Sequence, residues 1–339
     1  MTPMTIPGFI REQPEALDRC LAAAQAFVER WNPGSLRNIV LVGSGSSFNA
    51  LTIARPHFVA AGRGAVLVCE PGDFPAELPL LDERSLVVVL SQSGASTTSI
   101  AAARAAVEAG LGVLAITASG EAALARLGAP ALIMAVGEEP VGPKTKGFVG
   151  SMATLFVVAE ALRGACVPAM RGSDLAPLIE PAREMAEALV PSLAGVDQII
   201  VAGRRANYGV ALEASLKIAE MAGIPSSAFP TEELLHGRLH GMTERSVAFV
   251  IAEGEAEVAQ ARLAGAAMER RGCRLVTIDP ARMPWPTSRA LPASPWNALG
   301  LVLPFQWLAV LLAEARGLRP AAMRHGNLSR ELDIKTGAQ

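Results

Sequence analysis

A doubly wound, flavodoxin-like α/β fold in two successive halves is predicted by three observations. Apolar runs of strand length alternate with helix-length patterns along most of the 339 residues. The strand runs are continuously apolar, as strands in parallel sheets covered by helices on both faces are. The series also restarts: Val40-Leu41-Val42-Gly43 and Ile200-Val201-Ala202-Gly203 each end an apolar strand in glycine, a weak internal repeat. Strand–helix alternation of this kind argues for parallel sheets in a doubly wound arrangement.

The elements follow in order. A helix is predicted over residues 8–28. Strands are predicted over 38–42, 65–69, 86–90, 112–117 and 131–136, with helices over 46–61, 97–109 and 150–163. A helical pattern over 174–193, with proline near both ends, reads as a connection between halves. The second series gives strands over 198–202, 247–252 and 274–278, with helices over 208–223 and 255–271. An apolar helix over 296–315 and a polar tail over 317–339 complete the chain. The resulting division is an N-terminal helix (1–30), a first half (31–170), a connecting helix (171–195), a second half (196–320) and a tail (321–339) expected to fold near a site.

Composition narrows the function. The chain is 51% hydrophobic and 18% charged, so burial is extensive. A net charge of −2 leaves no basic surplus for nucleic acid or an anionic membrane. The four cysteines, Cys20, Cys69, Cys166 and Cys273, are widely spread and show no metal-ligand spacing. They read as buried thiols of a reducing compartment. No signal pattern opens the sequence, and the apolar stretch 296–315 is interrupted by Asn297, Pro304, Gln306 and Glu314, which marks a core helix and not a membrane span. A cytoplasmic protein is expected, with no nucleic-acid or membrane partner.

Two serine-rich turns carry the first chemical signal. Gly43-Ser44-Gly45-Ser46-Ser47 leaves a strand and opens a helix, and Ser91-Gln92-Ser93-Gly94-Ala95-Ser96 does the same. Ligands of doubly wound sheets bind beyond the carboxyl ends of strands, where free N–H groups and the helix dipole favour an anion. Serine hydroxyls add neutral donors, so the pair suits one phosphate. Serine and glycine also make plain tight turns and N-caps, and the sequence by itself leaves that reading open. A dinucleotide fingerprint fails because Phe48 stands at the third glycine, and neither a P-loop nor a G-x-S-x-G elbow is present.

The second signal lies in residues 207–241. Glu213, Lys217 and Glu220 stand at i, i+4 and i+7, on one face of a helix. A surface Glu213–Lys217 pair would account for two of them. The apolar neighbours Leu212, Leu216, Ile218, Ala219, Met221 and Ala222 leave little solvated surface, so the stripe is expected to face a pocket, where a partly buried carboxylate makes a base. Glu233 and His236 follow in a loop. His57 and His240 read as polar surface, and His325 in the tail stays open. Carboxylates, an imidazole and two phosphate turns together point to proton transfer on a phosphorylated sugar.

The serine turns, the run from Ala211 to Glu220 and Glu233-Leu234-Leu235-His236-Gly237 resemble the sugar isomerase (SIS) domain family, in order and with its spacing. The resemblance extends from Ile10-Arg11-Glu12-Gln13-Pro14 to Asn327-Leu328-Ser329 and is closest to the isomerase half of glucosamine-6-phosphate synthase and to the related deaminases and deglycases. It implies two tandem SIS subdomains, each a five-stranded parallel sheet flanked by helices. It implies that Ser47, Ser91, Gln92, Ser93 and Ser96 hold the sugar phosphate, with Gly45 and Ser46 in the same turn. Glu220 would shuttle a proton between C1 and C2, supported by Glu213, Lys217 and Glu233. His236 would open the sugar ring, contributed across a homodimer with shared sites. Val141, Lys144 and Thr145 match the loop that lines the sugar.

Three departures shape the expectation. No glutaminase segment or cysteine after Met1 precedes the SIS pair, so use of glutamine as ammonia source is not expected. Arg330 stands where the synthase tail carries a lysine, and arginine cannot form a Schiff base at neutral pH. Arg238 replaces a proline and could bind a second anionic group. The expected activity is deamination and isomerisation of an amino-sugar 6-phosphate, such as glucosamine 6-phosphate to fructose 6-phosphate and ammonia, with neither metal nor organic cofactor. A deglycase of a sugar–amino-acid conjugate, a plain aldose–ketose isomerase and a non-catalytic sugar-phosphate sensor are the alternatives.

Overall fold

The computed structural model describes residues 4–62, 64–164, 171–283, 296–326 and 328–336. The chain opens with α1 (Ile6–Arg11) and α2 (Gln13–Val28). One helix is predicted there, but Pro14 has no N–H for the Ile10 carbonyl and its ring crowds that oxygen, so the helix breaks at Glu12 and restarts at Gln13. Contacts then divide the chain into two compact units. The first takes in Gln13–Glu139, Lys146–Gly172 and His325–Gln339; the second takes in Met1–Glu12, Pro140–Thr145 and Ser173–Arg324.

The first unit holds β1 (Asn38–Val42), β2 (Val66–Cys69), β3 (Ser85–Leu90), β4 (Gly112–Thr117) and β5 (Ala131–Ile133), all parallel, in the order β2-β1-β3-β4-β5. That is the flavodoxin-like order, with the switch point beside β1 and β3. β3 is buried along its whole length, which its Leu-Val-Val-Val-Leu run requires. Its helices are α3 (Ser46–Ala60), α4 (Phe74–Glu77), α5 (Thr97–Glu108) and α6 (Lys146–Arg163). α6 packs against α2 and α3 and is buried except at Ala161 and Arg163, as a helix apolar all round must be. It begins four residues before its predicted start because Glu139, seven residues upstream, caps it: Oε1 accepts the Lys146 N–H at 3.2 Å and Oε2 the Gly147 N–H at 3.0 Å.

Next come α7 (Gly172–Leu175) and α8 (Ile179–Leu189), in place of one connecting helix; Pro177, Pro181 and Pro191 punctuate the stretch. The second unit's sheet contains β6 (Gln198–Gly203), β7 (Ser226–Pro230), β8 (Ser246–Ile251) and β9 (Arg274–Ile278), in the order β7-β6-β8-β9. It repeats the order of the first sheet with four strands among the described residues, where five are implied by the resemblance; residues 284–295, beyond β9, lie outside the description. β7 escapes sequence reading because Ser-Ser-Ala-Phe-Pro lacks β-branched residues and ends in proline, which only an edge strand tolerates.

The helices here are α9 (Ala206–Lys217), α10 (Thr231–His236), α11 (Glu255–Glu269) and α12 (Asn297–Ala315). Among the described residues α12 alone is long and apolar enough to cross a membrane, and 83% of its apolar window is buried, so it is a core helix packed on α8 and α9. The duplication reaches the backbone of the first turn in each unit. Gly45 before α3 has φ 56° and ψ −131°, and Arg205 before α9 has φ 52° and ψ −123°. Glycine adopts that conformation freely, whereas arginine is strained there by about 1–3 kcal/mol. The tail adds α13 (Leu328–Glu331) to the first unit.

His57 overturns its reading as polar surface. It sits on α3 at 8% exposure, edge-on to Phe156 at 4.9 Å, with Nδ1 3.5 Å from Glu160 Oε1 on α6. Burial, and then the nearby Arg163 guanidinium, push its imidazole down from 6.5 to about 4. Its stability contribution is therefore complete above pH 6.5 and is lost as pH falls towards 4. Moving from about pH 7 to about pH 5 should remove about 2 kcal/mol through this group. Urea midpoints at the two pH values should show that fall in the wild type and a correspondingly smaller one in His57→Leu; equal falls in both proteins would contradict the assignment.

Candidate active site

The first unit supplies the serine turns. The turn after β1 swings through Gly45, and Ser47 donates its N–H to Ser44 O at 3.1 Å, leaving Ser46 and Ser47 half-buried at the start of α3. In the turn after β3, Ser91 is buried, and its carbonyl accepts the N–H of Gly94, whose φ of 62° closes the bend. Ser93 Oγ accepts the Ala95 N–H at 3.3 Å, and Ser96 Oγ caps α5 by accepting the Ser99 N–H at 3.3 Å. The plain N-cap reading therefore holds for Ser96. A hydroxyl that accepts a backbone N–H keeps its own proton for a further acceptor, so capping and anion binding are compatible.

This turn has two partners, of which the sequence anticipates only that the tail folds near a site. Gln92 lies over the first turn of α6, where a Cβ on Gly147 would run into its carboxamide. The Gln92 backbone carbonyl accepts from Thr117 Oγ1 at 3.1 Å and from the Ala118 N–H at 2.9 Å. The second partner is the tail. Ser96 and Lys335 form an antiparallel bridge; Ile334 O accepts the Thr97 N–H at 3.2 Å, and the Thr336 N–H reaches Ala95 O at 2.7 Å. The tail thus takes up one of the free N–H groups at the start of α5. The Arg330 side chain lies outside the description.

The second unit supplies the charged stripe. Glu213 and Lys217 are each 1% exposed, which excludes the surface-pair reading. Lys217 Nζ lies 3.5 Å from Glu213 Oε1 and pairs closely with Glu220 Oε2. Burial pulls the ammonium pKa down, but Glu213 and Glu220 outweigh it and the net direction is upward, so Lys217 stays charged. After Lys217 the helix widens into a π turn over Ile218–Ala222, closed by Gly223 at φ 61°. Glu220 falls in that turn, its side chain 23% exposed: one oxygen is tied to Lys217 while the group as a whole reaches solvent. Such π turns recur at functional sites. Val141, Lys144 and Thr145 fall in the Pro140–Thr145 segment of the same unit, with Thr145 buried and Val141 and Lys144 half-buried.

His236 is predicted in a loop and instead ends the short helix α10, 75% exposed. Glu233 is exposed, and the carboxylate that engages the imidazole is Glu232, one turn back, with Oε1 2.9 Å from Nε2. Glu232 Oε2 in turn accepts from Arg204 at 3.0 Å. Arg238 stacks over the Phe229 ring at 4.8 Å, a contact that holds the guanidinium by its face and leaves its in-plane N–H groups for an anion. No group of three or more His, Cys, Asp or Glu side chains is arranged to hold a metal among the described residues.

Breaking a buried ion pair strands a charge. Lys217→Met should lower unfolding stability by about 3–5 kcal/mol, and pairing it with Glu213→Gln should restore much of the loss. Denaturant titration of the three proteins checks this; a single variant as stable as the wild type would show that the ammonium is not held in the core.

Comparison with known proteins places this geometry. The SIS domain model matches residues 35–162 and 192–280, the sheets of both units. The isomerizing glutamine–fructose-6-phosphate aminotransferase of Streptomyces coelicolor is 28% identical over 319 residues, covering 84% of this chain and 51% of the relative. The chain spans about half the length of the curated relatives it matches. Among solved structures, glucosamine-6-phosphate deaminase from Thermotoga maritima superposes with a TM-score of 0.77 at 22% identity, over 94% of this chain and 96% of that one. The C-terminal domain of glucosamine-fructose-6-phosphate aminotransferase from Francisella tularensis gives 0.76 at 20% identity, over 92% and 96%. These two share the fold. With the family model spanning well over half of its length, across both repeats, this chain belongs to the SIS domain family.

Proposed function

We propose that this chain is an amino-sugar-phosphate deaminase and isomerase, acting as a homodimer with shared sites and converting glucosamine 6-phosphate to fructose 6-phosphate and ammonia. The observation that carries the reading is Glu220, a carboxylate anchored on a buried ammonium at the edge of the core and standing where the family resemblance puts the C1–C2 proton carrier. In the proposed sequence, Ser47, Ser91, Gln92, Ser93 and Ser96 hold the phosphate and His236 assists ring opening. Glu220 takes the proton from C2 of the open-chain aldehyde, giving an enolamine, and returns it to C1. Water adds to the resulting C2 imine and ammonia leaves. Glu213 and Lys217 support Glu220, and Val141, Lys144 and Thr145 line the sugar.

Several observations support this choice. Arg330, in place of the tail lysine, disfavours a Schiff-base route. The exposure of His236 in the single chain suits a side chain that completes a partner's site. The free thiols Cys20, Cys69 and Cys273 suit a reducing, cytoplasmic setting.

One experiment tests activity and sharing together. Wild-type protein supplied with glucosamine 6-phosphate should release ammonia and fructose 6-phosphate in equal amounts. Glu220→Gln and His236→Ala should each be nearly inactive, as general acid–base groups worth about 10²–10⁴-fold. Unfolding and refolding the two variants together should restore about a quarter of wild-type activity, because half the dimers are mixed and each mixed dimer carries one intact site. Ketose formation from an aldose phosphate without ammonia release would favour the plain isomerase. No recovery on mixing would rule out shared sites.

A further inference from the structure

We propose that Glu232, clamped by Arg204, is a positioning residue that fixes the tautomer and direction of the His236 imidazole. This rests on the assignment of His236 to ring opening. His236 is the last residue of a six-residue helix and is 75% exposed, so α10 alone does little to hold the ring still. Glu232 stands one turn earlier on the same face, with Oε1 2.9 Å from Nε2. An isolated exposed pair of this kind is worth little. This one is not isolated. Glu232 Oε2 accepts from Arg204 Nη2 at 3.0 Å, and the same nitrogen donates to Gln260 Oε1 of α11 at 3.0 Å. Arg204 directly follows β6, so the imidazole is tied through one carboxylate and one guanidinium to the end of a central strand.

The chemistry follows from which nitrogen is engaged. A carboxylate on Nε2 places the ring proton there and leaves the lone pair on Nδ1. Nδ1 is then the base. It takes the proton of the anomeric hydroxyl, the carbonyl forms at the anomeric carbon as its bond to the ring oxygen breaks, and the imidazolium returns the proton to that ring oxygen. Glu232 stabilises the imidazolium between the two transfers, as a buttressing carboxylate does in an acid–base triad. Arg204 keeps Glu232 from turning away.

The test compares ring-closed and acyclic substrates. Fructose 6-phosphate closes a furanose ring through its 5-hydroxyl; its 5-deoxy analogue cannot and stays open. Glu232→Ala should lower kcat for isotope exchange on the ring-forming ketose about tenfold or more, with KM and the rate on the acyclic analogue each within about twofold of wild type. Glu232→Gln, which keeps a hydrogen bond without the charge, should fall between. Equal losses on both substrates would mark Glu232 as merely structural, and no loss on either would remove it from the reaction. If His236→Ala leaves ring-forming turnover untouched, the assignment of His236 fails instead. A separate readout then still decides the positioning claim. Nitrogen-15 spectra of the His236 ring, identified by its disappearance in His236→Ala, should report a single Nε2–H tautomer in the wild type and a mixture in Glu232→Ala. An unchanged ring signal in Glu232→Ala would overturn it.

Discussion

A lysine ammonium sealed in an apolar core must be given negative charge, and this chain gives Lys217 two carboxylates. Removing such an ion from water costs several kcal/mol unless partners of good geometry surround it. Glu213, buried beside it, supplies one from the preceding turn, and Glu220 supplies the other from the following turn. The constraint radiates outward. α9 must turn its charged stripe inward, and the π turn after Lys217 carries Glu220, the most exposed member of the trio. A carboxylate held in this way is preorganised: its position is set by the core and its reach is towards solvent.

Much of this framework is legible from pattern alone. Continuous valine and leucine runs marked β1, β3, β4, β6 and β8 to within a residue or two, because strands covered on both faces admit little else. The Val-Gly and Ala-Gly strand ends pointed to a repeat, and the shared sheet order and the matching backbone angles at Gly45 and Arg205 bear that out. The i, i+4, i+7 spacing correctly put Glu213, Lys217 and Glu220 on one face. It could not show that Glu213 and Lys217 lose all contact with water, nor that the helix widens, since a π turn has no signature in hydrophobic period.

What stayed hidden depends on contacts between distant segments. The start of α6 is set by Glu139, too far upstream for a local capping motif. His57 resembles any polar residue near the end of a helix until Glu160 and Phe156 of α6 enclose it. Glu232 and Glu233 are indistinguishable as adjacent acids; only the turn of α10 decides which one faces His236. The sequence places the tail near a site but not the contact it makes: its Ile334–Thr336 backbone pairs with the turn that opens α5.

The central claim is that Glu220 moves the C2 proton, and hydrogen exchange at C2 tests it without requiring product to form. Glucosamine 6-phosphate incubated with the protein in deuterated water and followed by proton NMR should lose its C2 signal in the wild type. In Glu220→Gln that loss should slow by about 10²–10⁴-fold while sugar-phosphate affinity, measured by calorimetry, is unchanged. Exchange at the wild-type rate in Glu220→Gln would contradict the account and pass the role of base to another group.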